Sequence, residues 1–343
     1  MNVTTVNKTN MVSLLLLLGL LISSLNISGA KTIGVCNGRN GNNLPSEADA
    51  VQFFKDNGIK RMRIYEPYQP TLQALRGSNI ELTVGIPNKD LQGLNDPAAA
   101  TDWVQKNVRD YFPDVKFRYI AVGNEVHLKG AETKYLLPAM ENIQSAISAA
   151  NLQDQIKVST AIHTGLLENT FPPSNSLFTE AASSFMNPIV TFLVNNGSPL
   201  LANIYPYYSR IANPQGVSLE YALITYPGTM VRDTNLNYQN LFDAMVDAVY
   251  AALERAGGQN LWVVVAETGW PSKGGIDASV ANAETYYKNL IDHVKNGTPK
   301  RSEAIETYLF AVFDENTKDG NEVERHFGVF TADKQPRYQL NFY

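Results

Sequence analysis

Eight short apolar segments alternate with longer amphipathic segments along most of this 343-residue sequence. Apolar runs without polar alternation are typical of parallel strands that helices cover on both faces. The predicted strands are residues 32–36, 61–65, 81–86, 117–125, 157–163, 200–207, 261–267 and 307–313. The predicted helices are residues 46–57, 71–76, 100–111, 134–150, 179–195, 238–256 and 278–295. The alternation indicates an α/β fold.

The number of strand–helix units predicts a (β/α)8 barrel, the TIM barrel, over residues 31–343. Such barrels typically take roughly 250 residues or more. A doubly wound open sheet is the alternative, and it would usually carry a glycine-rich phosphate-binding turn after its first strand. The segment from Gly38 to Gly41 lacks that glycine spacing. No linker, repeat or low-complexity segment divides the sequence, so we expect a single domain.

The first 30 residues differ in character from the rest of the chain. Lys8 is their only charged residue, residues 12–22 form an apolar run, and residues 28–30 are small. This pattern is typical of a secretory signal peptide that is removed by cleavage. The apolar run is shorter than the roughly 20 residues that cross a membrane. We therefore expect a secreted protein without a membrane anchor.

Charge and cysteine content exclude several classes of function. The net charge of −5 gives the surface no electrostatic attraction to nucleic acid. Cys36 is the only cysteine, so no internal disulfide can form. Its place in an apolar strand predicts a buried thiol rather than a nucleophile.

Polar side chains follow three of the predicted strands where each strand ends. The fourth strand ends on Asn124 and Glu125, the seventh on Glu267, and the eighth runs into Glu315. The C-terminal strand ends of a (β/α)8 barrel meet at one mouth, which is where its catalytic residues lie. Two carboxylates there can hydrolyse a glycosidic bond, because one can protonate the leaving oxygen while the other attacks or activates water.

Arginines on the second strand give these glutamates a second interpretation. Arg61, Arg63 and Tyr65 share one face of the strand, while Met62 and Ile64 face the surrounding helices. An inward arginine needs a partner, and Arg63 is a candidate to hold a catalytic carboxylate. The alternative is a purely structural network in which both glutamates pair with Arg61 and Arg63.

Aromatic residues are concentrated near the same strand ends, where sugar rings could stack on them. They are Tyr65, Tyr68, Tyr205, Tyr207, Tyr208, Trp270 and Phe313. Each ring alone is more often part of a core than of a binding surface. Their concentration at one end favours an extended polysaccharide as the substrate.

Other chemistries lack their sequence patterns. The four histidines show no H-E-x-x-H motif, and one cysteine cannot build a thiolate cluster, so we expect no metal site. Neither a G-x-S-x-G elbow nor a P-loop occurs. His163 ends the fifth strand and either reaches the mouth or serves as a structural histidine.

Several ordered blocks resemble plant-type glycoside hydrolase family 17, the endo-1,3-β-glucanases. The most specific block is residues 261–274, which contains Glu267. The others are residues 33–36, 61–65, 119–125, 202–207, 313–316 and 326–328. These blocks are spread along the whole sequence after the leader.

The resemblance implies a (β/α)8 barrel that hydrolyses β-1,3-glucan with retention, in the cell wall space. It implies that Glu125 is the acid/base and Glu267 the nucleophile, with their carboxyl groups about 5–5.5 Å apart. The substrate-binding residues that we expect are Tyr65, Asn124, Tyr205, Phe313, Glu315 and Trp270. We expect a monomer whose partner is the polysaccharide and which needs no cofactor.

Three positions depart from the family pattern. Asn37 stands where a tyrosine is usual, Glu66 where aspartate is usual, and His163 where the fifth strand commonly ends in aspartate. These changes leave both glutamates in place and put the affinity for individual sugar units in doubt. The alternatives to a 1,3-β-glucanase are a mixed-linkage 1,3-1,4-β-glucanase and a catalytically silent glucan-binding protein.

Overall fold

The computed structural model describes residues 33–342. Eight parallel strands close into a barrel in which each strand pairs with its neighbours in sequence and the first pairs with the last. The strands are β1 (Ile33–Cys36), β2 (Arg61–Ile64), β3 (Glu81–Ile86), β4 (Lys116–Asn124), β5 (Lys157–His163), β6 (Leu200–Asn203), β7 (Val263–Thr268) and β8 (Thr307–Leu309). The predicted (β/α)8 barrel is confirmed. The predicted leader lies outside the described residues.

Helices follow the strands and cover the barrel. They are α1 (Glu47–Asp56), α2 (Gln69–Leu75), α3 (Pro97–Val104), α4 (Thr133–Ala149), α5 (Glu180–Asn196), α6 (Pro206–Ala212), α7 (Leu219–Ala222), α8 (Leu241–Arg255) and α9 (Val280–His293). Ser46 caps α1 by accepting a hydrogen bond from the Asp49 backbone N–H. Met62 and Ile64 are buried, as expected of residues that face the helices. No helix within residues 33–342 is long and apolar enough to cross a membrane.

Two predicted strands end earlier than expected. The sixth strand ends at Asn203, because Pro206 begins α6 and proline fits the first turn of a helix. The eighth ends at Leu309, and the Ala311 N–H that follows donates to the Phe327 carbonyl instead of continuing the ladder. Both chain segments therefore leave the sheet at the mouth of the barrel.

The segment between β6 and α8 contains more regular structure than its sequence indicates. It forms α6, α7 and a two-stranded hairpin of Val231–Asp233 and Leu236–Tyr238. Tyr238 therefore belongs to the hairpin, and the predicted helix from residue 238 begins three residues later.

Candidate active site

A cleft of about 1030 Å³ lies at the mouth of the barrel and is lined from all eight strand ends. The predicted site residues that line it are Arg63, Tyr65, Asn124, Glu125, Tyr205, Glu267 and Glu315. Within residues 33–342, no three His, Cys, Asp or Glu side chains are grouped so that they could hold a metal ion.

An irregularity at the end of β4 positions Glu125. The pairing with β5 shifts between Ala121 and Asn124, and Gly123 has a φ of 70°. Glu125 itself has a φ of 50°, a left-handed conformation that is uncommon for a residue with a side chain. Bulges of this kind re-aim side chains next to active sites. Here the bulge lets both Asn124 and Glu125 face the cleft.

Asn88 holds this bulge in place through the backbone of Asn124. Its side-chain oxygen accepts a hydrogen bond from the Asn124 N–H at 2.8 Å, and its amide donates to the Asn124 carbonyl at 2.8 Å. These two bonds satisfy both backbone groups of one residue, so they restrain the residue that immediately precedes Glu125.

Glu267 lies at a second register shift, where β7 moves relative to β6 between Val265 and Glu267. Its carboxylate accepts one hydrogen bond from the Tyr65 hydroxyl and one from the Tyr205 hydroxyl, each at 2.8 Å. The Arg63 guanidinium lies 3.0 Å from the same carboxylate. Each carboxylate oxygen thus has a fixed donor, which holds the group in one orientation.

Arg63 is almost completely buried, with 1% of its surface exposed, and it connects β2 to three other strands. Besides contacting Glu267, its guanidinium donates to the Ala266 carbonyl at 2.8 Å, to Asn124 Oδ1 at 2.8 Å and to Asn203 Oδ1 at 3.2 Å. These partners compensate the energetic cost of burying the positive charge of Arg63.

The structural network of the alternative interpretation does not form as predicted. Arg61 pairs with Glu81 at 2.7 Å and with Glu306 at 3.6 Å, away from the cleft glutamates. Among the described residues, Glu125 forms no ion pair with an arginine. Only the pair between Arg63 and Glu267 matches that interpretation.

The environment of Glu125 differs from that of Glu267. Burial raises the pKa of Glu125 above its ordinary value, and the neighbouring Glu267 charge raises it further. The hydrogen bond from Asn203 Nδ2 to Glu125 Oε1, 2.8 Å long, opposes this rise. A raised pKa widens the pH range in which a carboxyl group keeps its proton and can act as a general acid.

The family model for glycosyl hydrolases family 17 matches residues 33–342. The chain belongs to this family. The family 17 chain is 59% identical over 331 residues to a glucan endo-1,3-β-glucosidase of Vitis vinifera, and the match covers 95% of this chain and 96% of the relative. It is 53% identical over 334 residues to an acidic glucan endo-1,3-β-glucosidase of Nicotiana tabacum, with 96% of each chain covered.

Solved structures of the family agree with this fold. One of two plant β-glucan endohydrolases with distinct substrate specificities is 48% identical, with a TM-score of 0.87, over 90% of this chain and 99% of that one. A β-1,3-glucanase and allergen of Cryptomeria japonica pollen is 45% identical, with a TM-score of 0.88, over 91% and 99%. The resemblance identified from the sequence is confirmed.

The prediction that Trp270 binds substrate is wrong for this family 17 chain. Its side chain is fully buried, and its indole N–H donates to the Asp277 carbonyl at 2.9 Å. The indole packs against the Tyr207 ring with 5.2 Å between centroids. Trp270 thus anchors the turn after β7 and leaves no ring face for a sugar.

The prediction for Phe313 is also wrong. This side chain is 3% exposed and packs against Phe53 of α1, with ring centroids 5.6 Å apart. The regular strand β8 ends before this residue, at Leu309, and Phe310 lines the cleft instead. Glu315 does line the cleft, where its carboxylate accepts a hydrogen bond from the Asn40 N–H at 2.9 Å.

All three unusual positions, Asn37, Glu66 and His163, line the cleft. Asn37 is 4% exposed, and its backbone N–H donates to the Arg63 carbonyl. His163 Nδ1 accepts a hydrogen bond from the Gly165 N–H at 3.1 Å, which leaves Nε2 as the protonated nitrogen of the neutral ring. His163 therefore faces the cleft, as one of the two interpretations of this residue predicted.

Sequence reasoning missed several polar residues of the cleft. Asn88 and Asn203 hold Asn124 and Glu125, and Lys318 and Glu324 form an ion pair at 3.2 Å beside Phe310. Asn203 ends β6, but the predicted strand ran on to residue 207, so the rule that identified Glu125 and Glu267 did not mark it. Asn88 and Lys318 lie in loops, and no local pattern marks them.

Proposed function

We propose that this family 17 chain is a secreted endo-1,3-β-glucanase that hydrolyses internal bonds of callose-like or fungal wall glucans with retention. The observation that carries this proposal is the presence of two carboxylates with unlike surroundings in one cleft. Glu125 has a raised pKa, whereas Glu267 has a buried arginine and two phenols as hydrogen-bonding partners. Relatives of the chain named glucan endo-1,3-β-glucosidase support the 1,3 linkage.

The first step in this mechanism forms a glycosyl-enzyme. Glu125 donates its proton to the glycosidic oxygen while a Glu267 oxygen attacks the anomeric carbon. The bond to the leaving sugar breaks as the ester bond to Glu267 forms. Arg63, Tyr65 and Tyr205 act as positioning groups, because their donors hold the attacking carboxylate in one orientation.

The second step releases the sugar and restores both glutamates. Glu125, now ionised, takes a proton from a water molecule whose oxygen attacks the anomeric carbon. The ester bond breaks, and Glu267 regains its negative charge. Asn203 supports this step, because its amide donates to the ionised Glu125 carboxylate.

We propose that Tyr65, Asn124, Tyr205 and Glu315 contact the substrate, since all four line the cleft. Asn124 Oδ1 already accepts hydrogen bonds from Arg63 and Asn203, so the rest of its amide is oriented for a sugar hydroxyl. Tyr65 and Tyr205 present their rings beside Phe310, at 6.4 and 6.3 Å between centroids. This aromatic cluster suits the apolar face of a sugar.

Secretion is proposed on the composition of residues 1–30 alone. Expression of the full chain in a eukaryotic secretory host should yield a mature protein that begins near Lys31. N-terminal sequencing of the protein from the medium tests this. Retention of the full chain inside the cell would contradict it.

That the protein is a monomer stays a prediction.

The activity is tested by digesting laminarin and cereal mixed-linkage β-glucan in parallel with the purified protein. We expect release of oligosaccharides from laminarin and loss of this activity in Glu267→Gln. Glu141→Gln, an exposed change on α4, is the matched control and should hydrolyse normally. Preference for the mixed-linkage polymer would favour the rival 1,3-1,4-β-glucanase. Binding without release of reducing ends would favour a silent glucan-binding protein.

A further inference from the structure

A second groove of about 540 Å³ lies on the flank of the barrel and shares no lining residue with the catalytic cleft. It is formed by the start of α8, the end of α9, the hairpin after α7 and the loop that follows α9. Its volume is within the range of pockets that hold small ligands. Its lining residues are Ile224, Tyr226, Asn237, Gln239, Asn240, Asp243, Asn289, Asp292, His293, Asn296, Gly297, Thr298 and Pro299.

The floor of this flank groove is a set of polar groups held by one another. Asp243 is buried, and one of its carboxylate oxygens accepts a hydrogen bond from the side-chain amide of Asn240, the residue that caps α8, at 2.9 Å. Its other oxygen lies 2.7 Å from His293 Nε2. A carboxylate accepts, so Nε2 carries the proton and Nδ1 of His293 is left as an acceptor. Asn289 donates to the Leu223 carbonyl at 3.1 Å, which leaves its side-chain oxygen as an acceptor.

The rim of the flank groove carries polar groups without internal partners. Within residues 33–342, the side chains of Asn237, Gln239 and Asn296 form no hydrogen bond, although all three line the groove. Each primary amide offers both donors and acceptors. Tyr226 adds a half-buried aromatic ring to the same wall.

The chemistry of this lining selects a class of ligand. It contains no lysine or arginine, so it offers no counter-charge to a phosphate or carboxylate ligand. Its amide-rich surface would leave polar groups unpaired beneath a lipid or another apolar ligand. A neutral polyhydroxyl chain can use every one of these donors and acceptors and can stack on Tyr226.

We propose that the flank groove is an accessory binding site for a segment of β-glucan, which keeps the enzyme on an insoluble polymer while the cleft acts on it. This inference rests on the proposed function, because the ligand is the polymer that the cleft would hydrolyse. Two sites on one chain raise the apparent affinity for a polymer that reaches both. A short soluble oligosaccharide cannot reach both sites at once, so its apparent affinity is not raised.

The test compares a groove variant, Tyr226→Ala with Gln239→Ala, with a control variant on α4, Tyr135→Ala with Gln144→Ala. Binding to insoluble linear β-1,3-glucan is measured by sedimentation, in a Glu267→Gln background so that the polymer is not consumed. The groove variant should bind about tenfold more weakly than the control, since loss of one stacked ring and one amide contact has roughly that effect. Equal binding of the two variants overturns the proposal.

Hydrolysis of soluble laminaripentaose by the same variants with Glu267 intact is the second measurement. It should remain within about twofold of the unmodified protein, which also shows that the variants fold. An equal loss of hydrolysis and of polymer binding would mean that Tyr226 and Gln239 stabilise the structure of the catalytic cleft, and it would overturn the proposal. Failure of the unmodified protein to hydrolyse laminaripentaose would refute the proposed function, whereas the sedimentation result would still report on the groove.

Discussion

Replacement of Asn203 by alanine should move the pH–activity profile of the enzyme to higher pH. The Asn203 amide donates to Glu125 Oε1 at 2.8 Å, and this bond stabilises the ionised form of Glu125. Without the donor, protonated Glu125 is favoured, so its pKa rises further. The general acid must be protonated for the first step, and the basic limb of kcat/KM reports its pKa in the free enzyme.

The size of the shift follows from the kind of bond. A hydrogen bond to a charged group contributes about 1.5–3 kcal/mol. One pKa unit corresponds to about 1.4 kcal/mol, so the bond is equivalent to roughly one to two units. Glu125 is only partly buried, and solvent can replace some of the lost interaction. We therefore expect the basic limb to rise by about one pKa unit.

The measurement is kcat/KM for a soluble laminari-oligosaccharide between pH 4 and 9, for the unmodified protein and for Asn203→Ala. The control is Asn142→Ala, which removes a comparable bond, from Asn142 to the Leu94 carbonyl, on α4. The control should leave both limbs where they are. A basic limb that stays in place or falls in Asn203→Ala would refute the role of this amide and the assignment of Glu125 as the acid.

Three further changes have expected outcomes. Arg63→Met leaves the Glu267 carboxylate buried without its cation, so the free energy of unfolding should fall by about 3–5 kcal/mol in urea titrations. A fall of less than about 1 kcal/mol would contradict the pairing of Arg63 with Glu267. Burial raises the pKa of Asp247 from an ordinary 3.8 to about 7. As the pH rises, the unfolded chain releases the Asp247 proton before the folded chain does. The free energy of unfolding should therefore fall between about pH 4 and pH 7, by up to ~4 kcal/mol. Thermal melts of Asp247→Asn across this range should lack that pH-dependent fall. Gly123 has a φ of 70°, so Gly123→Ala should cost at least ~1 kcal/mol and reduce kcat by displacing Glu125; unchanged kcat would show that the bulge does not aim the acid.

The barrel was predictable because short strands with buried apolar residues alternate with amphipathic helices along the chain. Strand β7 shows this, since Val263, Val264 and Val265 are all buried. The strand ends were less predictable. Apolar content continues past Asn203 and past Leu309, but the regular strands end there. Pro206 begins a helix after β6. After β8 the Ala311 N–H donates to the Phe327 carbonyl, and the Val312 N–H donates to Cys36 of β1. Local composition does not record where the partner strand stops.

The two glutamates were predictable from their places at strand ends, whereas the rings of the cleft were predicted only in part. Tyr65 and Tyr205 line the cleft, but Trp270 and Phe313 turn into the core. All four lie at or near the end of a predicted strand, so the sequence alone does not separate them. The direction of each ring depends on how the turn after its strand is packed, as the bond from Trp270 to the Asp277 carbonyl shows.

The support of the acid depends on contacts between distant parts of the chain. Asn203 reaches Glu125 across 78 positions, and Asn88 reaches Asn124 across 36. An amide carries no signal in sequence that distinguishes such a contact from a turn or a helix cap. These residues could be assigned only after the barrel had brought the strand ends together.

The central claim is that Glu267 forms a covalent bond to the sugar, and trapping that intermediate tests it most directly. The protein would be inactivated with a 2-deoxy-2-fluoro-β-laminaribiosyl fluoride, digested, and analysed by mass spectrometry. We expect a single adduct of the fluorinated disaccharide on the peptide that contains Glu267. Turnover of the reagent without any adduct, or an adduct on a peptide that lacks Glu267, would contradict it.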